Sequence, residues 1–129
     1  MEYGFTVRTD ASFDEAVAQV RDALKAQGFG VLTEIDIQAT MLAKLGEQME
    51  DYVILGACNP PLAHRALAQD RQIGLLLPCN VVVRTQDSQT VVEALDPMTM
   101  VGVTGEESLR PIATEAATRL RAALAAVAS

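Results

Sequence analysis

Two stretches of helical spacing, one near each end of the chain, limit what the residues between them can build. Near the start, Ser12 and Glu15 have the spacing of a capping box, and Phe13, Ala16, Val17, Val20 and Leu24 fall on one helical face. Gly28 stops this helix, with Phe29 placed for the hydrophobic contact of a C-terminal cap. Near the end, Leu109, Ile112, Ala113, Ala116, Leu120, Ala123, Leu124 and Val127 recur at helical spacing. Pro111 is tolerable only in a first turn, so that helix starts near Ser108 or Leu109. Acids at Glu106 and Glu107 and bases at Arg119 and Arg121 suit its dipole. Each helix has an apolar face that needs a second layer to cover it.

The residues between supply that layer as strands. Tyr3, Phe5 and Val7 alternate with Gly4, Thr6 and Arg8, the period of a half-buried strand. Gly30 to Asp36 reads as a second strand, with Val31, Thr33 and Ile35 on one face and Leu32, Glu34 and Asp36 on the other. Residues 37–45 form a short helix ended by Gly46, and Tyr52 to Cys58 an apolar strand. Asn59 before Pro60 opens another helix, as an N-cap with proline at the first helical position. After an apolar connector come a strand near Asn80 to Arg84, a polar turn and a return strand near Thr90 to Leu95. Met98 to Val103 is expected as a short extended piece. The order predicts a single α+β domain over residues 1–129, a two-layer sandwich with helices on one sheet face.

Composition sets the limits on partners. A chain of 129 residues, half of them hydrophobic, buries roughly two-thirds of its unfolded surface and needs no staples. Only Ala128 and Ser129 are expected to be loose. The net charge of −7 and ten scattered bases argue against nucleic acid and against an anionic membrane surface. The longest apolar stretch, around Ile73 to Val83, is broken by Gly74, Pro78, Cys79 and Asn80 and is too short to span a bilayer. The start, Met1-Glu2-Tyr3-Gly4, has an early acid and no apolar run behind bases, so no secretory leader and a cytoplasmic location are expected. In that reducing compartment two cysteines are expected as free thiols.

Four ordered blocks carry a resemblance: Glu34-Ile35-Asp36, Leu55-Gly56-Ala57-Cys58-Asn59-Pro60, Gly74-Leu75-Leu76-Leu77-Pro78-Cys79-Asn80 and Ala94-Leu95-Asp96-Pro97. Together they resemble domain of unknown function family 302 over nearly the whole chain. The resemblance implies a β-α-β4-α core of the TATA-binding-protein-like type, decorated by inserted short helices and often dimeric. It implies no activity, since one architecture hosts unrelated functions.

Several polar residues are candidates for ligand or metal binding. Cys58 and Cys79 end apolar runs beside prolines and are placed on neighbouring strands near one end of the sheet. Paired thiolates there would bind zinc or cuprous copper, or form a disulfide with Cα atoms within about 7 Å. There is no Cys-x-x-Cys pair, and free cysteine is commonly a small buried hydrophobe. His64 is the only histidine and points away from the apolar face of its helix, towards solvent. The amides after Asn59 offer an anion site or a means to lower the pKa of Cys58, but Asn59 itself caps that helix end. Glu34 and Asp36 share a strand face and would join Asp96 in a hard-metal or acid-base site, against the alternative of exposed carboxylates and helix caps. Met98 and Met100 would share a face as soft ligands if their segment is extended, with packing as their usual role.

Two functions follow. The preferred one is a non-catalytic module, acting as a homodimer, that binds a small ligand or a protein partner in a groove between sheet and helices. The alternative is a soft-metal or thiol-redox protein using Cys58 and Cys79, assisted by His64 or Met98. Enzyme chemistry ranks last: no phosphate loop or catalytic motif is present, and one histidine cannot complete a base, an orienter and a charge stabiliser.

Overall fold

The computed structural model describes residues 2–129. Five strands, β1 (Gly4–Thr9), β2 (Gly30–Asp36), β3 (Tyr52–Cys58), β4 (Cys79–Gln86) and β5 (Gln89–Leu95), form one antiparallel sheet in the order β1-β5-β4-β3-β2. The five α-helices are α1 (Phe13–Ala26), α2 (Ile37–Leu45), α3 (Pro60–Gln69), α4 (Met98–Thr104) and α5 (Arg110–Val127). The expected two-layer α+β sandwich is therefore present.

Local chemistry sets most of these limits. Ser12 accepts from the Glu15 amide and α1 starts there. At the other end the Phe29 amide donates to the Leu24 carbonyl and the Gly28 amide to that of Lys25, the paired bonds of a Schellman cap. Gly28 has φ +85°, a conformation open to glycine at little cost. Between β4 and β5, Asp87 and Ser88 both take positive φ, which gives the hairpin turn the right-handed twist its strands need.

The main core lies between α1, α5 and the sheet. Ala16, Val20 and Leu24 of α1 and Leu120, Ala123, Leu124 and Val127 of α5 meet Val53, Leu55, Ala57, Val81, Val83, Val92 and Ala94 of the central strands. A second core forms off the end of the sheet, where Leu62 and Ala66 of α3 meet Ile73, Met100, Val101, Leu109, Ile112, Ala113 and Ala116.

Four sequence readings need correction. The face assignment of β2 fails because its pairing with β3 shifts register between Val31 and Thr33. The extra residue, Leu32, reverses the alternation: Val31 pairs with Ala57 on the helix side, Ile35 with Ile54 on the opposite side, and Glu34 returns to the helix side to meet Arg21 of α1. The segment after Asp96-Pro97 is helix α4, not an extended piece: Asp96 accepts from the Met98 amide and its carbonyl from the Thr99 amide. Arg119 and Arg121 do not serve the dipole of α5. Arg119 donates to the Gln27 carbonyl, and Arg121 stands 3.8 Å from the centre of the Phe5 ring. Ser129 is tied down, its amide donating to the Arg8 carbonyl and its hydroxyl 3.2 Å from that of Thr9.

Because Ser88 holds a left-handed conformation that costs a non-glycine residue about 1 kcal/mol or more, Ser88→Gly is expected to stabilise the chain by about 0.5–1 kcal/mol. Urea unfolding should show a higher midpoint at unchanged slope.

Candidate functional site

The end of the sheet where β3 stops and β4 begins brings both cysteines together. Ala57 pairs with Cys79 across β3 and β4, so Cys58 is one residue beyond the partner of Cys79. Both thiols are free and half-buried. They line one cavity of about 30 Å³, walled by Phe29, Ala57, Leu62, Ala66, Met100 and Ile112 among others. Those walls come from both cores, so the cavity sits at their seam.

Gly56 permits a close approach beside them. A side chain there would collide with Thr33 Oγ1 and stand 2.9 Å from Pro78 Cγ, so only glycine lets β2 and the residue before Cys79 close over β3. Asn59 then turns the chain from β3 into α3. Its Oδ1 accepts from the Leu62 amide and its Nδ2 donates to the Gln27 carbonyl, which also accepts from Arg119. Asn59 is buried with both ends of its side-chain amide in use, so its role is a cap and a bridge.

Electrostatics at the cavity oppose a reactive thiolate at Cys79. Burial, and secondly the neighbouring Cys58, push the Cys79 thiol from an ordinary 9.0 up to about 11. At neutral pH Cys79 is therefore a thiol, unlike the low-pKa cysteines of redox enzymes.

The other candidates do not join this place. His64 is exposed on α3 and outside the cavity wall, as its helical position predicts. Glu34 pairs with Arg21, Asp36 caps α2 through the Ala39 amide, and Asp96 accepts from the Met98 amide ahead of α4. Asp36 and Asp96 follow strands that run in opposite directions and are separated by three strand spacings, ~14 Å laterally. The acidic site envisaged from Glu34, Asp36 and Asp96 is thus not assembled. Met98 and Met100 are also parted, because two residues along a helix turn about 200°. Met98 takes a hydrogen bond from Thr114, whereas Met100 is buried in the cavity wall. No group of three His, Cys, Asp or Glu side chains able to hold a metal forms among the described residues.

The sequence reading did not identify the opposite face of the sheet, which the helices leave uncovered. By register it carries the row Ile35, Ile54, Val82, Glu93 and Thr6, flanked by Tyr52, Arg84 and Leu95. Glu93 is held there by Arg84 at 2.7 Å and by the Thr6 hydroxyl. The alternation of β3 contained the signal, since Tyr52 and Ile54 on one face are as apolar as Val53 and Leu55 on the other.

Comparison with known proteins agrees with this architecture. The model of the family described as Domain of unknown function DUF302 matches residues 5–127. A crystal structure of an uncharacterized conserved protein DUF302 from Bacillus stearothermophilus is similar, at 29% identity and a TM-score of 0.93, over 98% of this chain and 99% of that one. No curated protein matches significantly.

Two measurements check this site. Asn59→Ala removes a cap and a bridge to Gln27, and is expected to cost about 1–2 kcal/mol in urea unfolding. In a Cys58→Ala background, Cys79 should alkylate more slowly at pH 8 than in the unfolded chain, with its folded-state rate still climbing towards pH 11.

Proposed function

Since the chain belongs to the DUF302 family, a family of unknown function, we propose its role from its own surface: a non-catalytic binding module that works as a homodimer through the uncovered sheet face. The observation that carries this reading is the apolar row Ile35, Ile54 and Val82 across β2, β3 and β4. An antiparallel sheet with one face in water ordinarily makes that face polar.

Charge favours a second copy as the occupant. The chain carries −7, yet the charged strand residues of this face are Arg8, Arg84 and Glu93, two bases and one acid. Self-association here brings together the part of the surface that lacks the acidic excess, and like-charge repulsion is smallest. A twofold axis through the centre of the face would place apolar row against apolar row. Helix α2, which packs against β3, has no buried residue, and Leu42 and Leu45 are more than half exposed.

An organic ligand in the seam cavity suits this protein less well, because that cavity is about 30 Å³ and organic-ligand pockets run roughly 300–1,000 Å³. A cytoplasmic location belongs to the same reading; two neighbouring unpaired thiols survive best in a reducing compartment. No helix of the described residues is long and apolar enough to cross a membrane.

Sedimentation velocity tests the proposal. The wild-type chain is expected to sediment as a dimer and Val82→Glu as a monomer with unchanged circular dichroism. A wild-type chain still monomeric at roughly 100 µM, where any micromolar dimer would form, overturns it.

A further inference from the structure

The two edge strands of the sheet differ in how they meet solvent. β2 carries the bulge at Leu32 and two acids, devices that turn an edge away from further pairing. β1 has no bulge and no proline, and its register is unbroken from Gly4 to Thr9. The bonds at its ends show which way its backbone points. The Asp96 amide donates to the Tyr3 carbonyl, so Tyr3, Phe5, Val7 and Thr9 turn their backbone groups towards β5, and Gly4, Thr6 and Arg8 turn theirs outward. The outward carbonyl of Arg8 already accepts from the amide of Ser129, a residue outside the sheet. The groups of Gly4 and Thr6 have no such backbone partner among the described residues.

We propose that this edge binds an extended peptide as an added strand, antiparallel to β1, and that the groove between β1 and α5 selects an apolar-x-acidic sequence. The groove measures about 410 Å³. Arg121 stands over Phe5 and Ser129 bonds to Arg8, so α5 runs alongside β1 in the same direction. Residues opposite one another on neighbouring strands share a face. A peptide residue opposite Phe5 therefore projects beside Arg121, and one opposite Val7 projects beside Leu124 and Ala125, one turn further along α5.

Charge and burial choose the side chains. Among the described residues no carboxylate pairs with Arg121, whose guanidinium lies 3.8 Å from the centre of the Phe5 ring. With one face on the ring, its N–H edge is left for a carboxylate, the partner that a guanidinium fork fits best. Glu2 and Asp96 also line the groove, but at its Tyr3 end, and Asp96 is bonded to the Met98 amide. Phe5 and Val7 are only half-buried, whereas their partners Ala94 and Val92 on β5 are buried, so an apolar side chain opposite Val7 completes the cover. Backbone bonds at Thr6 supply affinity and the two side chains supply selectivity, as in other strand-addition sites. A second copy of β1 suits this edge less well. Pairing about Thr6 sets Gly4 against Arg8, whose carbonyl Ser129 holds, and pairing about Phe5 brings two Arg121 cations together.

The test is an NMR titration of the isotope-labelled chain with the peptide acetyl-Thr-Leu-Thr-Glu-Thr-amide, which sets Leu opposite Val7 and Glu opposite Phe5. Saturable shifts are expected at the amides of Gly4, Thr6 and the α5 turn around Arg121. Thr6→Pro removes the outward N–H at a place where an edge strand tolerates proline, and is expected to weaken binding at least about tenfold with unchanged circular dichroism. Arg121→Gln is expected to weaken it about threefold, and to make no difference once the Glu of the peptide is replaced by Gln. No shift at up to about 1 mM peptide, or shifts confined to β2 or the open sheet face, overturns the edge site. Full affinity in Thr6→Pro does the same. Full affinity of the Glu peptide for Arg121→Gln overturns the acidic selectivity. A dimer dissociated by Thr6→Pro but not by Val82→Glu assigns the edge to a second copy and overturns the peptide. The amides of β1 read this site and sedimentation reads the sheet-face dimer, so each fails separately.

Discussion

The Gln27 carbonyl, at the end of α1, accepts from Asn59 and from Arg119 and so ties three helices to one point. Asn59 ends β3 and caps α3; Arg119 projects from the middle of α5. A buried amide whose donor and acceptor are both occupied fixes distance and angle in a way that apolar packing does not, since packing is non-directional. The direction in which α3 leaves the sheet, and hence the position of the second core, follows from that amide.

The cavity follows from the same junction. Two cores packed separately, one under the sheet and one beyond its end, meet along a line where no side chain fills the space completely. Gly56 brings β2 and Pro78 close over β3 at this line, and the two cysteines end up on its rim because they stand where β3 ends and β4 begins. Burial that holds the Cys79 proton tightly also keeps that thiol neutral, a condition under which an apolar wall costs least.

The two surfaces of the sheet divide the work differently. The helix side is closed by α1 and α5 and serves stability. On the other side Ile35, Ile54 and Val82 stand in a row beside a charge pair that neutralises itself, in a chain whose acids are concentrated elsewhere. The bulge at Leu32 makes the row possible: without the extra residue, Ile35 would face the helices and Glu34 the open side, away from Arg21.

Much of this was legible in the residues, and what was not shares one physical cause. The capping box at Ser12, the Gly28 stop, the Asn59-Pro60 helix start and the β4–β5 hairpin are local hydrogen-bonding and dihedral preferences, determined within a few residues of sequence. Periodicity likewise placed Cys58 and Cys79 on adjoining strands and turned His64 outward. The faces of β2, the helical state of Met98–Thr104, the partners of Arg119 and Arg121, and the union of Met100 with the cysteines were decided only by tertiary structure. Each depends on groups distant in sequence, and the energy that chooses among local alternatives appears only once those groups are packed together.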